Sequence, residues 1–156
     1  MRPSLCFALI AILSVAGPVW ADAIEVHDAF APATSSLARA GAAYMVLHNH
    51  GDSDDALLAL RSDAARLVQL HTTAMSADGV MSMSRLTDPV PLPAGGEALL
   101  APGGTHIMFM GLVAPFAPGD LIPVTLVFAT AGEVEVLVPV AADRSGDPPV
   151  DHMDHH

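Results

Sequence analysis

Histidine and methionine are the side chains of this sequence with the clearest capacity for chemistry. The 156 residues include 8 His and 8 Met beside a single cysteine, Cys6. Within the segment Thr105–Leu112 (THIMFMGL), His106 and Met108 stand two positions apart. Residues two apart on a β-strand share a face, so a strand here would present an imidazole and a thioether together, with Ile107 on the opposite face. This arrangement predicts a ligand pair for a soft metal ion.

Further donors of the same kind occur elsewhere in the chain. His71 ends the apolar segment ARLVQLH, and Met81 and Met83 share one face of the segment GVMSMSRL. Met110 continues the row of Met108. We expect these groups to lie near strand ends, where loops can bring them together. The candidate ligand set has four members, which are His71, Met83, His106 and Met108.

The softness of these ligands decides which metal they would hold. Thioether and imidazole suit Cu(I), whereas Ca²⁺ and Mg²⁺ prefer oxygen and Zn²⁺ normally takes carboxylate or thiolate beside histidine. Because methionine and deprotonated histidine are neutral, they can hold a monovalent ion without adding buried negative charge. Methionine also avoids the disulfide formation that a cysteine ligand would meet in an oxidising compartment. The set therefore predicts a Cu(I) site.

Single residues of these types usually have simpler explanations. A methionine on a strand usually fills the core, and Met45, inside an apolar segment, is interpreted in that way. A single histidine is usually a surface or hydrogen-bonded residue. His27, His48 and His50 are placed in that class.

The last six residues, DHMDHH, form a second concentration of donors. Imidazole nitrogens and carboxylate oxygens suit Cu(II), and the interruption of the histidines by Asp and Met argues against a purification tag. We predict that residues 141–156 form a flexible tail that binds Cu(II) more weakly than a preorganised site would. The tail donors are His152, Met153, His155 and His156.

Composition excludes several classes of function. The formal net charge is −11 and the chain contains no lysine, so phosphate backbones and anionic lipid surfaces would repel it. We therefore expect no nucleic-acid partner. The single Cys6 lies in the N-terminal apolar run, outside a lipoprotein-type cleavage context. A chain without that run has no thiol, which excludes disulfides, thiol redox chemistry, thiolate zinc sites and blue-copper centres.

The N-terminus has the pattern of a secretory signal peptide. Arg2 precedes the apolar run Leu5–Val15, which is shorter than the ~20 residues that span a membrane. Small residues before the break predict cleavage after Ala21, with Ala23 as the second choice. The alternative is an uncleaved membrane anchor. We expect residues 1–21 to be removed and the mature chain to have no stable membrane insertion.

The remaining sequence is typical of an all-β domain over residues 22–140. Short alternating segments are separated by Gly and Pro at the spacing of a sandwich or barrel, and no segment has a helical stripe. Asp88–Gly96, which is rich in Pro and Gly, is predicted to be a loop. The predicted strands are Ile24–Pro32, Ala42–Asn49, Ala56–Leu60, Ala65–Thr72, Gly79–Leu86, Glu97–Leu100, Thr105–Leu112, Leu121–Thr130 and Glu133–Val140.

From Gly41 to Val140 the sequence resembles the PCuAC family of periplasmic copper chaperones. The segments that carry the resemblance keep the family's order and cover most of the domain. They are GAAYMVLHNHG, VQLHTTAM, GVMSMSRL, LPAGG, APGGTHIMFMGL, PGDLIPVTLVF and GEVEVLVPV. The resemblance implies a cupredoxin-like Greek-key β-barrel or sandwich and a Cu(I) motif of the form H-(M)-x10-M-x21-H-x-M.

Carried onto this sequence, the motif assigns His71, Met83, His106 and Met108 as Cu(I) ligands. The spacing departs from the family pattern, because eleven residues separate His71 from Met83 and twenty-two separate Met83 from His106. Single insertions in loops would explain both differences. They also leave Met81 as an alternative to Met83. Met110 is a weaker alternative to Met108.

The resemblance further implies a monomeric periplasmic carrier that delivers copper to cytochrome c oxidase assembly. The recipient would be the copper-bearing subunit of the oxidase or a thiol-bearing assembly factor. The sequence has no catalytic dyad, nucleophile elbow or phosphate loop, so we expect no enzyme activity. Two alternatives remain open. One is an exported β-sandwich scaffold or adhesion module without metal, and the other is a copper-dependent oxidase or dismutase-like enzyme.

Overall fold

The computed structural model describes residues 23–142, and these residues form ten β-strands. The predicted signal peptide and residues 143–156 of the predicted tail lie outside the described residues. No helix long and apolar enough to cross a membrane occurs in the described range. The strands are β1 (Ile24–Pro32), β2 (Ala40–Asn49), β3 (Asp55–Arg61), β4 (Ala65–Met75), β5 (Met81–Arg85), β6 (Val90–Leu92), β7 (Glu97–Leu100), β8 (Thr105–Leu112), β9 (Leu121–Phe128) and β10 (Glu133–Ala141).

The strands form one hydrogen-bonded path, open at both ends, whose two halves pack as a sandwich. Their order is β5-β4-β8-β2-β1-β10-β9-β3-β6, and β7 also pairs with β2. The two halves of the path are joined by the parallel pairing of β1 with β10, where Ala31 is opposite Val140 and Pro32 is opposite Ala141. β3 also contacts β4, and β6 contacts β7, so the halves pack face to face. The predicted all-β fold is confirmed.

Buried and half-buried residues alternate strictly along β2, so one face of this strand packs in the core and the other face is turned outward. Odd-numbered residues from Gly41 to Asn49 are buried, and even-numbered ones point to the other side. Met45 is 1% exposed, as predicted for a core residue. Each fully buried large apolar side chain contributes about 1.5–3 kcal/mol to stability. The largest core side chains of the two halves include Met45, Leu47, Ile107 and Phe109 on one side and Leu57, Val124, Leu126 and Val138 on the other.

An extra residue in β1 reverses that strand's alternation. Between the pairs His27–Val46 and Phe30–Tyr44, β1 has two residues where β2 has one. Asp28 takes up this bulge with φ 49°, a left-handed conformation that Asp tolerates better than most residues. Because of the bulge, His27 and Phe30 lie on the same outward face, although residues three positions apart lie on opposite faces of a regular strand. The rings of Phe30 and Tyr44 are 5.2 Å apart on that face.

One predicted loop contains a strand. Asp88–Gly96 was expected to be a loop throughout, but Val90–Leu92 forms β6, which pairs with β3. The prediction was wrong because prolines on both sides of Val90 suggested a break. Pro91 is accommodated because β6 is a three-residue strand at the end of the path, where a missing N–H costs no ladder hydrogen bond. Its Leu92 is fully buried.

Candidate metal centre

The register of β4 against β8 places the two candidate histidines side by side. His71 is directly opposite His106, and their ring centroids are 6.3 Å apart. Met108 lies one row further along, opposite Gln69. The even-numbered residues of β8 face outward with His71, whereas Ile107 and Phe109 are fully buried. The sequence pattern of β8 predicted this division of faces.

The register of β5 against β4 orders the two candidate methionines. Met83 is opposite Thr73, and Met81 is opposite Met75. Two residues along a strand span ~6.8 Å, so Met83 lies one row from the histidine pair and Met81 lies two rows away. Strand pairing, and not the loops expected from the sequence, therefore brings the candidate ligands to one face.

His106 is the most enclosed member of the set. His106 is 4% exposed, and its Nδ1 lies 3.0 Å from the carbonyl oxygen of Gly104. Because a carbonyl only accepts, Nδ1 carries the proton and donates it, so Nε2 keeps its lone pair. The Tyr44 ring packs 6.1 Å away. This hydrogen bond fixes the tautomer of His106 that binds a metal through Nε2.

His71 has unused hydrogen-bonding capacity. Both of its ring nitrogens are shielded from solvent, and neither has a hydrogen-bond partner among the described residues. Burial lowers the pKa of His71 below its usual value of 6.5, and the neighbouring His106 and Arg85 lower it further. A neutral imidazole left unpaired in this way costs about 1–3 kcal/mol. A metal ion would offset that cost, so the donor set fits a soft cation.

The methionines are more exposed than the histidines. Met83 is 53% exposed and Met81 is 55% exposed, while Met108 and Met110 are half-buried. Met110 lies opposite Leu67, two rows from the histidine pair on the side of Met108. The thioethers of β5 are thus accessible from solvent.

Met75 is a methionine at this face that the sequence analysis did not single out. β4 extends to Met75, beyond the predicted end at Thr72, and Met75 then stands opposite Met81. It is 67% exposed. The β-favouring pair of threonines after His71, together with the even spacing of His71 and Met75, is the sequence signal that could have identified it. The tail donors His152, Met153, His155 and His156 lie outside the described residues.

Comparison with known proteins identifies relatives that cover this domain. A family model described as "Putative lipoprotein LpqE-like" matches residues 24–140. "Putative lipoprotein Lxx21020" of Leifsonia xyli subsp. xyli is 38% identical over 126 residues, which are 81% of this chain and 74% of the relative.

Solved structures with the same fold are PCuAC domains. The copper-bound PCuAC domain from PmoF2 is 28% identical with a TM-score of 0.62, covering 77% of this chain and 93% of that domain. The Cu(I) form of DR1885 from Deinococcus radiodurans is 27% identical with a TM-score of 0.60, covering 78% of this chain and 80% of that one. The expected PCuAC-like fold is therefore confirmed, while the matching family model is the LpqE-like one.

Proposed function

The chain belongs to the LpqE-like lipoprotein family, and from this membership and its PCuAC-like fold we propose that it is a Cu(I)-binding carrier of the cell envelope. Two of the similar structures are described as copper-bound or Cu(I)-bound. Their copper supports, for this chain, the same class of cargo. The proposal is a carrier and not an enzyme.

A single observation carries the proposal. Neither ring nitrogen of His71 has a hydrogen-bond partner among the described residues, and His71 lies beside His106. The Nε2 lone pair of His106 is left free by the hydrogen bond that its Nδ1 donates to the Gly104 carbonyl oxygen. Two neutral imidazoles next to thioethers are a donor set that prefers Cu(I) to oxygen-seeking ions. We assign His71, Met83, His106 and Met108 as ligands of one Cu(I). Met81 and Met110 are the substitutes for the two sulfur ligands.

Exposure of the sulfur side suggests how the cargo leaves. Thioethers are weaker ligands for Cu(I) than thiolates, and Met83 lies on the solvent side of the set. An incoming thiolate could therefore displace the methionines first, while the more enclosed His106 leaves last. We propose that the recipient is a thiol-bearing assembly factor or the copper-bearing subunit of cytochrome c oxidase. The carrier acts as a monomer in this scheme.

The proposed location is the periplasm or the equivalent space outside the cytoplasmic membrane. The predicted signal peptide, cleaved after Ala21 or Ala23, supports export, and so do the lipoprotein descriptions of the relatives. The domain proposed to act there is residues 22–140. The tail of residues 141–156 is proposed as an accessory Cu(II) site that captures ions for the domain.

X-ray absorption on the mature chain loaded anaerobically with one equivalent of Cu(I) tests the assignment. The expected spectrum has both sulfur scatterers and imidazole nitrogen scatterers, in the ratio of the four ligands. A spectrum with only nitrogen and oxygen scatterers would contradict the proposal. Absence of Cu(I) uptake in a competition titration would instead favour the metal-free scaffold module.

Truncation tests the tail separately. Ala141 pairs with Pro32 and its carbonyl accepts a hydrogen bond from the Ala33 amide, so the cut should follow Ala142. The truncated chain should keep Cu(I) binding and lose one Cu(II) site. Full Cu(II) stoichiometry after truncation would remove the tail from the proposal.

A further inference from the structure

A second group of donors converges at the start of β1, away from the methionines. Glu25 Oε2 lies 2.5 Å from His50 Nε2, and Glu25 Oε1 lies 3.4 Å from His27 Nε2. One ligand atom from each of these three residues lies within 4.8 Å of the other two. All three side chains are exposed. Their donors are nitrogen and oxygen only.

His48 adds a third imidazole to this group. Its Nδ1 lies 3.1 Å from His50 Nε2, and the two ring centroids are 4.0 Å apart. The strand register places His48 directly opposite Glu25 on β1 and directly opposite Glu97 on β7. His50 Nε2 therefore faces both a carboxylate oxygen and an imidazole nitrogen. A cation at this point would be shared by groups that otherwise compete for one proton.

The backbone beneath the group is firmly held. Asn49, between the two histidines, is 1% exposed, and its side-chain nitrogen Nδ2 donates to the carbonyl oxygens of Ser53 and Leu92. Its side-chain oxygen accepts from the Gly51 amide, and the His50 amide donates to the Ala23 carbonyl oxygen at 2.7 Å. The buried Asn49 thus fixes where His48 and His50 emerge. Preorganisation of this kind lowers the cost of binding an ion.

We propose that Glu25, His27 and His50, with His48 beside them, form a second metal site that takes a borderline divalent cation, Cu(II) most tightly. Imidazole and carboxylate donors suit divalent first-row metals, and Cu(II) binds such sites more strongly than Zn²⁺ or Ni²⁺. One carboxylate partly neutralises the ion, and the net charge of −11 attracts cations to the surface. The absence of sulfur among these donors separates the site from the proposed Cu(I) centre.

The two sites are separate but share one face of the sheet. His48 and Tyr44 both point outward from β2, and Tyr44 contacts His106. Four residues along a strand span ~13 Å, which is too far for one ion to use both sets of ligands. Each site can therefore be tested without disturbing the other. The second site does not depend on the Cu(I) function.

Cu(II) titration followed by electron paramagnetic resonance tests the proposal. The starting protein is the mature chain with His152, His155 and His156 changed to Asn, which removes the tail imidazoles. Adding His27→Gln and His50→Gln should abolish one Cu(II) equivalent and its nitrogen hyperfine pattern. Glu25→Gln should weaken Cu(II) at least about tenfold.

Glu135→Gln is the matched control, because Glu135 is also an exposed glutamate on a β-strand, β10, but lies outside the group. It should leave Cu(II) affinity unchanged. Unchanged stoichiometry and spectrum in the His27→Gln, His50→Gln protein would overturn the site, and tighter binding of Zn²⁺ than of Cu(II) would overturn the choice of metal. Cu(I) titration of the same variants should be unaltered, so failure here is distinguishable from failure of the carrier function.

Discussion

Met83 and Met108 flank the row of the two histidines from opposite sides. Met83 is level with Thr73 on β4, and Met108 is level with Gln69, whereas His71 occupies the row between them. Each methionine therefore stands one row, ~6.8 Å along the strands, from the histidines, and a shift of one strand would help both sulfur atoms to close on one ion. β5 is the strand best able to shift in this way, because it is an edge strand in which every residue is exposed.

This relationship predicts that Cu(I) draws Met83 towards the histidines. In anaerobic NMR with 13C-methyl methionine, Cu(I) should shift the Met83 methyl and protect it from a soluble paramagnetic agent. Met75 is the last residue of β4, beside the turn that leads to β5. It serves as the internal reference and should stay accessible. Equal protection of both methyls would point to aggregation or general ordering. No change at Met83 would exclude it as a ligand.

The order of rows also predicts which methionine of β5 matters more. Met83→Ala should weaken Cu(I) binding at least about tenfold, equivalent to about 1.4 kcal/mol, because it removes the sulfur one row from the histidines. Met81→Ala should have a smaller effect, since Met81 lies two rows away and is equally exposed. Competition with a chromophoric Cu(I) chelator measures both. The reverse result would transfer the ligand role to Met81.

The pKa of His71 gives the metal-free domain a defined response to acid. Because that pKa is lowered in the folded chain, the unfolded chain binds the proton first as pH falls through 6.5. The contribution of neutral His71 to the free energy of unfolding is therefore fully present above pH 6.5 and is lost as pH falls towards the folded pKa. Urea unfolding between pH 8 and 5 should show a shallower decline for His71→Gln. Parallel pH profiles would contradict the lowered pKa.

Cu(I) binding should weaken over the acidic range as well. Protons compete with the metal for imidazole nitrogen ligands, whereas thioethers do not titrate there. The loss should be partial, since the sulfur ligands remain available. A Cu(I) affinity that is the same at pH 8 and pH 5 would argue against histidine ligation.

Close packing at Gly41 predicts a stability effect independent of metal. A Cβ at Gly41 would lie 2.7 Å from Cε2 of Phe116, a buried ring that packs edge-on against Phe109. Gly41→Ala should lower the free energy of unfolding by about 1–3 kcal/mol because the ring has to shift. Gly104→Ala is the control, since its Cβ would meet only the Ala101 carbonyl oxygen at 3.7 Å. Chemical denaturation of the metal-free proteins measures both, and equal stability of the two variants would contradict the clash.

Local sequence was sufficient for nine of the ten described strands, though not for all their bounds, and for placing one pair of candidate ligands on a shared face. Period-two alternation predicted Thr105–Leu112 with its correct bounds, and with it the shared face of His106 and Met108. Donor type grouped His71 and Met83 with this pair, and the resemblance to PCuAC proteins supplied the motif that assigns them as ligands. Their placement depends on the register of β4 with β5 and β8, which joins residues far apart in sequence and has no local signal.

The same limit explains why His27, His48 and His50 were interpreted as ordinary surface or hydrogen-bonded residues. They are exposed or half-buried, and two of them make hydrogen bonds, so that interpretation describes each residue taken alone. Their convergence on Glu25 depends on the pairing of β1 with β2. Only the folded chain brings these donors together.

The bulge at Asp28 divides β1 into two segments in which odd- and even-numbered positions exchange their buried and outward roles. Before Asp28, odd-numbered positions such as Glu25 and His27 are open to polar residues, and Ile24 must stay apolar. After it, Ala31 is the buried position and Phe30 is the outward one. A mutant library designed on the assumption that β1 alternates without interruption would therefore take buried positions in one segment for surface positions. An alignment that ignores the bulge would make the same error. Deleting Asp28 would leave Ala29 alone opposite Met45, so the two segments would join as one regular strand in register with β2.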